Sequence, residues 1–413
     1  MTATTARDVR APAPHSEHPS LAFERLPPLA LYVHLPWCVR KCPYCDFNSY
    51  EARGGLPDDA YVGALLRDLD SELGFVRGRA LASIFIGGGT PSLFSGRAIG
   101  QLLDGIRARV ELAADVEVTL EANPGAVEAR RFAEFRDAGV GRLSIGIQSF
   151  RDDKLRVLGR VHDGAEARHA VGLAKQAGFA SLNLDLMYAL PGDDVAGSIA
   201  DLAAAVELEP EHLSWYQLTL EPNTAFERRP PVLPADDLVL EIERAGRELL
   251  AHRGFERYEI SAYARPGREC THNVNYWRFG DYVGIGAGAH GKVTLPEQGA
   301  IERRAKTRNP RTYMTQAGTV AAVAVERVST AAQARLEFLM NALRLPGGVT
   351  VECFEQRAGQ PFAAIEAGMA AAVRRGWLVQ ETATFRPTPL GLQFLNPMLE
   401  IFCEAPGAAP SSP

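Results

Sequence analysis

The chain has 413 residues, 46% of them hydrophobic, a formal net charge of −6 and a pI near 5.9. That length and apolar fraction bury a large core and predict more than one domain, while the acidic balance, only five lysines and no long Lys/Arg run argue against a general nucleic-acid binder. No apolar run approaches the roughly 18 residues of a spanning helix, and residues 1–28 lack a hydrophobic signal region, so the expected compartment is the cytosol, with peripheral membrane contact left open.

Residues 1–28, rich in Ala, Pro, Thr, Ser and His, read as a disordered tail. From Leu29 onward, short β-branched runs alternate with helical patterns. The expected strands are Leu31–Leu35, Ser83–Ile86, Val116–Glu121, Leu143–Gln148, Leu182–Met187 and Leu213–Leu220. Between them, apolar residues at three- and four-residue spacing predict helices over Asp58–Val76, Gly96–Val110, Val127–Ala138, Asp163–Ala177 and Val195–Leu208, with Gly139 and Gly178 as C-caps. Six successive βα steps predict a parallel sheet wrapped by helices, as a partial six-unit barrel over 29–225 with a doubly wound sheet as the fallback. The proline-rich stretch Glu221–Pro234 reads as a boundary loop. Beyond it, 226–330 reads as an α+β extension with a helix at Asp236–His252 and a strand at Arg257–Tyr263. Region 331–403, with three helical patterns and then strand-like Trp377–Gln380 and Thr384–Pro387, suggests a winged-helix-like module used for packing or partner contact. Residues 404–413 read as a second disordered tail.

Six cysteines are present. Cys38, Cys42 and Cys45 form C-x₃-C-x₂-C, three thiolates from one loop with no fourth beside them. A [4Fe-4S] cubane held by three thiolates leaves one iron free to bind a small molecule. The rival is structural zinc with His34 as fourth ligand in a Cys₃His set. Cys270, Cys353 and Cys403 stand alone and read as small buried hydrophobes.

In a parallel barrel the working face is formed by the carboxyl ends of the strands, and the cysteine loop follows the first of them. Gly87-Gly88-Gly89-Thr90-Pro91 follows the second and lets the backbone approach a ligand closely. Glu121 and Gln148 end the third and fourth strands, Asp185 lies within the fifth, and Arg160 is a candidate carboxylate fork. Together they describe a polar pocket suited to an amino acid joined to a nucleoside, with Arg160 on a carboxylate and Gln148 and Asp185 on ribose hydroxyls.

The cysteine spacing followed by the glycine turn resembles the radical S-adenosylmethionine (SAM) superfamily. That resemblance implies a [4Fe-4S] cluster whose open iron binds SAM and whose electron cleaves it to a 5′-deoxyadenosyl radical. Leu31-Tyr32-Val33-His34-Leu35-Pro36-Trp37-Cys38, Gly87–Ser92, Ser144–Phe150 and Asn183–Tyr188 are similar to the group around oxygen-independent coproporphyrinogen III oxidase, over about Leu31–Met398. By resemblance, Tyr32, Gly88, Gly89, Thr90, Glu121, Gln148, Arg160 and Asp185 contact SAM.

The oxidase has a further cysteine two residues after the third ligand, where this chain has Phe47, and a longer segment before the first strand. The loop Cys42–Tyr50 instead resembles the HemW-type heme chaperones. His272-Asn273-Val274-Asn275-Tyr276-Trp277 fits the H-N-x-x-Y-W pattern associated with heme binding in that family. Chemically it offers an imidazole for iron and aromatic faces for a flat macrocycle, with Cys270 as a rival ligand. Without the family, Tyr276 and Trp277 read as core aromatics and His272 as a satisfied buried side chain. The resemblance implies a protein that carries a [4Fe-4S] cluster and SAM, binds heme through His272, and passes it to an apoprotein, with an electron donor for the cluster as a further partner. The alternatives are coproporphyrinogen III oxidation and a HemN-like radical SAM methylation.

Overall fold

A computed structural model describes residues 21–125 and 129–403. Six parallel strands follow one another: β1 Leu29–Leu35, β2 Leu81–Gly88, β3 Leu112–Ala122, β4 Arg142–Gln148, β5 Ser181–Tyr188 and β6 His212–Gln217. Each pairs in parallel with the next. A doubly wound sheet reverses its strand order at a switch point. Here β1 to β6 lie side by side in chain order, the order of a partial barrel, and the fallback falls away.

The crossover helices arise where the sequence places them. Helix Gly96–Arg107 buries Ala98, Ile99, Leu102, Leu103 and Ile106 at helical spacing, and Ser95 caps it by accepting from the Ala98 amide. Helix Gly164–Gln176 opens on a capping box between Asp163 and Glu166. Gly139 ends helix Phe132–Ala138 in the left-handed region at φ 107°; the first residues assigned to this helix by sequence, from Val127, include some outside the described ones. A short helix at Asp152–Val157 was not foreseen.

The sheet continues on both sides of these six strands. Beyond β6 it adds Ala262–Ala264 and Glu256–Arg257, two antiparallel pieces where one strand is expected. Beyond β1 it adds Asp281–Ile285 in parallel, then His290–Leu295, Ala300–Lys306 and Val323–Val328 antiparallel, for twelve strands in all. The first three of these escape the sequence reading because buried positions in each hold ions and glycines interrupt Asp281–Ile285 and His290–Leu295; Val323–Val328 has no buried residue. Asp281, Lys292 and Lys306 are at most 2% exposed, and each is paired: Asp281 with Arg79 and Lys292, Lys306 with Asp68 and Glu72. A buried charge is tolerated only when partnered in this way.

The C-terminal region packs helices Ala331–Ala342, Val351–Ala358 and Glu366–Arg374 against a three-stranded antiparallel sheet of Val349–Thr350, Thr384–Pro387 and Leu378–Gln380. Its core, around Phe338, Phe354, Met369 and Phe385, also takes in Phe279, Ile301 and Leu21. Residues 21–28 are therefore not a loose tail: Leu21 and Ala22 donate to the Gly299 and Gly359 carbonyls at 2.9 and 3.0 Å. The other tail expectations, for residues 1–20 and 404–413, lie outside the described residues. Among the described residues no helix is long and apolar enough to cross a membrane. Cys270 is buried and Cys353 half-buried, but Cys403 is exposed, which corrects its reading as a core residue: it falls in the turn that follows helix Leu395–Glu400.

Candidate functional site

The cysteine loop is clipped at both ends. Trp37–Cys38 pairs with Tyr50–Glu51, and the Gly89 and Thr90 amides donate to the Leu35 and Trp37 carbonyls at 2.8 and 2.7 Å. The glycine turn and the cysteine loop thus form one backbone-bonded unit. A Cβ on Gly89 would stand 2.5 Å from the Trp37 carbonyl oxygen, so only glycine permits that approach.

Above the carboxyl ends of the strands lies a cavity of about 440 Å³, lined by Cys38, Cys42, Cys45, Gly89, Thr90, Glu121, Gln148, Arg160 and Asp185. Nine of the twelve site residues expected from the sequence thus meet in one space. Tyr32, Gly88 and His272 do not line it. Tyr32 and Gly88 stand one layer behind: the Tyr32 hydroxyl meets His34 Nδ1 at 2.9 Å, and the Gly88 amide donates to Glu121 Oε2 at 3.0 Å. His34, the rival zinc ligand, is engaged at its other nitrogen by the Asn48 carbonyl at 2.9 Å and is absent from the cavity wall. The three thiols thus share the wall with carboxylates and with no histidine among the described residues. Burial pushes the Cys38 and Cys45 thiols up, so they stay protonated at neutral pH until a metal displaces the protons.

Arg160 plays a different part from the expected fork. Its Nη2 donates to Asn123 Oδ1 at 2.6 Å and to the Gly146 carbonyl at 2.7 Å, while Nη1 lies 3.7 Å from Cys42 Sγ. Asn123 in turn donates to Thr90 Oγ1 at 2.9 Å. A chain of contacts therefore runs from the glycine turn to a cysteine sulfur and places a guanidinium charge beside it. Gln148 sits at φ 69°, a left-handed conformation that costs a non-glycine residue about 1–3 kcal/mol. The Tyr216 hydroxyl donates to its Oε1 at 2.7 Å.

Among the described residues neither of the two carboxyls deep in the cavity forms a salt bridge, although the buried Arg142 guanidinium acts on both. Glu121 is pushed up to about 8 by burial and then by the charge of Asp185. Asp185 is also raised by burial, against donors from Asn183 at 2.8 Å and Ser144 at 3.1 Å. Such a pair suits a ligand that brings positive charge, as the ammonium and sulfonium of SAM do. The donor set fits a three-thiolate cluster beside a cationic cosubstrate. Sequence reading missed Asn123, Ser144, Ser214 and Tyr216 in this wall. The last two alternate with buried Leu213 and Trp215 along β6, a period-two signal that was available.

His272 lies elsewhere. It is the second residue of the short helix Thr271–Trp277, with Nδ1 3.1 Å from Ser83 Oγ. Its ring centroid is 5.0 Å from that of Phe85. Burial and then Arg142 push it down to about 4. Cys270 Sγ donates to Glu117 at 3.4 Å, and burial pushes its thiol up to about 12.

The sequence matches the model of the Radical SAM superfamily over residues 32–202 and that of the HemN C-terminal domain over 330–394. It is 51% identical to "Heme chaperone HemW" of Escherichia coli K12, covering 92% of this chain and 99% of that protein. The protein of the same name from Haemophilus influenzae is 47% identical, over 92% of this chain and 98% of its own length. Among solved structures, coproporphyrinogen III oxidase (HemN) of Escherichia coli superposes with a TM-score of 0.76 over 91% of this chain and 90% of its own, at 22% identity; that likeness is one of fold.

Proposed function

Because the chain belongs to the radical SAM superfamily, and within it to the HemW family, we propose that it holds a [4Fe-4S] cluster and SAM in the cysteine-lined cavity and that it binds heme and delivers it to an apoprotein. The observation that carries the first half is the meeting of three thiols, one guanidinium and two buried carboxyls in one space. Cys38, Cys42 and Cys45 would hold three irons. Arg160, anchored by Asn123 and Gly146, would balance thiolate charge beside Cys42. Glu121, Gln148 and Asp185 would hold SAM, with Gly88 and Tyr32 fixing Glu121 and its surroundings from behind and Gly89 and Thr90 forming the near wall. When bound, such a cluster supplies one electron to the sulfonium of SAM.

The heme half is supported by the names of the relatives and by the H-N-x-x-Y-W helix, in which His272 is the imidazole on offer. The loop also departs from the oxidase at Phe47, whose exposed ring (58%) cannot ligate iron. The partners in this reading are heme, a heme-accepting apoprotein and an electron donor. The test is anaerobic reconstitution followed by parallel assays. Four iron atoms per chain, SAM binding, hemin retention and transfer to an apoprotein, without coproporphyrinogen turnover, is the expected result. Turnover of the porphyrinogen without stable hemin binding would reverse the assignment.

A further inference from the structure

Helix Thr271–Trp277 sends its side chains into separate surroundings. His272 turns toward Ser83 and Phe85. Asn275 is buried and donates to the Asp281 carbonyl at 3.0 Å. Trp277 packs against the C-terminal core with the Arg344 guanidinium 4.4 Å over its ring. Of the H-N-x-x-Y-W residues, Tyr276 is the one that lines a second cavity, of about 430 Å³, walled on one side by the antiparallel strands and on the other by helix Ala331–Ala342.

The furnishing of this cavity is specific. Tyr276 and Tyr282 lie with ring centroids 5.3 Å apart, tilted by 45°. The exposed imidazole of His290 and the thioether of Met340, 48% exposed, are both at its wall. Arg303 donates through Nε and Nη2 to one oxygen of Glu337 at 3.0 and 2.7 Å, and Arg327 donates to the other at 2.7 Å. Two guanidiniums therefore share one carboxylate at this wall. Arg304, also at this wall, is held by Glu302, Glu72 and Glu326.

Aromatic faces suit a flat ring, an imidazole suits iron at its centre, and a pair of guanidiniums suits carboxylates at its rim. We propose that this second cavity is where the chain holds heme, with His290 on the iron, Tyr276 and Tyr282 against the macrocycle, and Arg303 and Arg327 facing the propionates. The proposal rests on the heme-chaperone reading above and locates its cargo away from the cysteine-lined cavity. Strand Val323–Val328, which supplies Arg327, is the outermost of the sheet, so an acceptor reaches this cavity without crossing the barrel.

The test is a hemin titration of the full chain after anaerobic reconstitution. His290→Ala is expected to shift the Soret band and weaken hemin binding tenfold or more. Arg327→Gln, at a half-exposed side chain, is expected to weaken it severalfold with the band unmoved. Iron content and SAM binding should stay at wild-type levels in both. Wild-type affinity and spectrum in both His290→Ala and Arg327→Gln would overturn the assignment, and a loss confined to His272→Ala would move heme into the barrel. If the unmodified chain retains no hemin, the heme reading itself falls and this site with it.

Discussion

Lys306 is the residue whose loss the fold should tolerate least. Its ammonium is 2% exposed and donates to Asp68 Oδ1 at 2.6 Å and Glu72 Oε1 at 2.5 Å. Both carboxylates belong to helix Asp58–Val76, while Lys306 ends a strand of the extension. Asp68 also accepts from the Tyr313 hydroxyl at 2.7 Å and the Gly286 amide at 3.2 Å, so the ion pair fixes the glycine loop that packs behind His34. Lys306→Met leaves two buried carboxylates without their cation. Breaking a buried pair costs about 3–5 kcal/mol. The lower figure applies here, because Asp68 keeps its two other donors and Glu72 keeps Arg304 at 3.4 Å. At about 2–4 °C per kcal/mol for domains of 150–250 residues, and less for a longer cooperative unit, the midpoint should fall by about 6 °C in thermal unfolding of the cluster-free chain followed by circular dichroism. The cost comes from unpaired charge, so the triple change Lys306→Met, Asp68→Asn, Glu72→Gln should recover most of it. A single variant that unfolds within 1 °C of wild type would refute the reasoning.

Three further outcomes follow from the cysteine-lined cavity. Cys38→Ala, Cys42→Ala or Cys45→Ala should each abolish the brown iron–sulfur absorption, and zinc bound stoichiometrically in place of iron would refute the cluster assignment. Gly89→Ala drives a methyl group into the Trp37 carbonyl, so it should lower iron retention severalfold as measured by iron analysis after desalting, whereas Gly172→Ala, which meets nothing within 4 Å, should not. Glu121 is raised from the ordinary 4.5 to about 8 in the fold; its contribution to stability is therefore complete below about pH 4.5 and is lost as pH rises through about 8. Comparing unfolding at pH 6 and pH 8.5 should show that fall in the wild type and a smaller one in Glu121→Gln; SAM affinity in the wild type should rise over the same interval, as the ionised carboxyl meets a cation.

What could be read from the sequence was what is local. Three cysteines within eight residues and three consecutive glycines declare themselves without a structure. The strands β1 to β6 declare themselves through short apolar or alternating runs between helical patterns. The extension stayed hidden because Asp281, Lys292 and Lys306 occupy positions where apolar residues are expected, and their partners lie about 10 to 240 residues away. Arg160 was chosen for its fork and found holding Asn123 and Gly146, since a side chain's type is visible in a sequence and its partner is not. The second cavity was out of reach for the same reason: Tyr276, His290, Arg303, Arg327 and Glu337 share no spacing and are gathered only by the antiparallel strands and the helix that follows them.

The position of β1 has a consequence for how the chain is made. Asp281–Ile285, its neighbour on one side, follows it by about 250 residues. At 5–20 residues per second of synthesis, β1 leaves the ribosome roughly 12–50 s before that neighbour exists. Throughout this interval the strand that leads into the cysteine loop carries a bare hydrogen-bonding edge flanked by Leu29, Leu31 and Val33, the kind of template on which nascent chains associate. A fragment that stops before Asp281 would keep that edge bare, so the cysteine-bearing half is expected to associate through it when expressed alone.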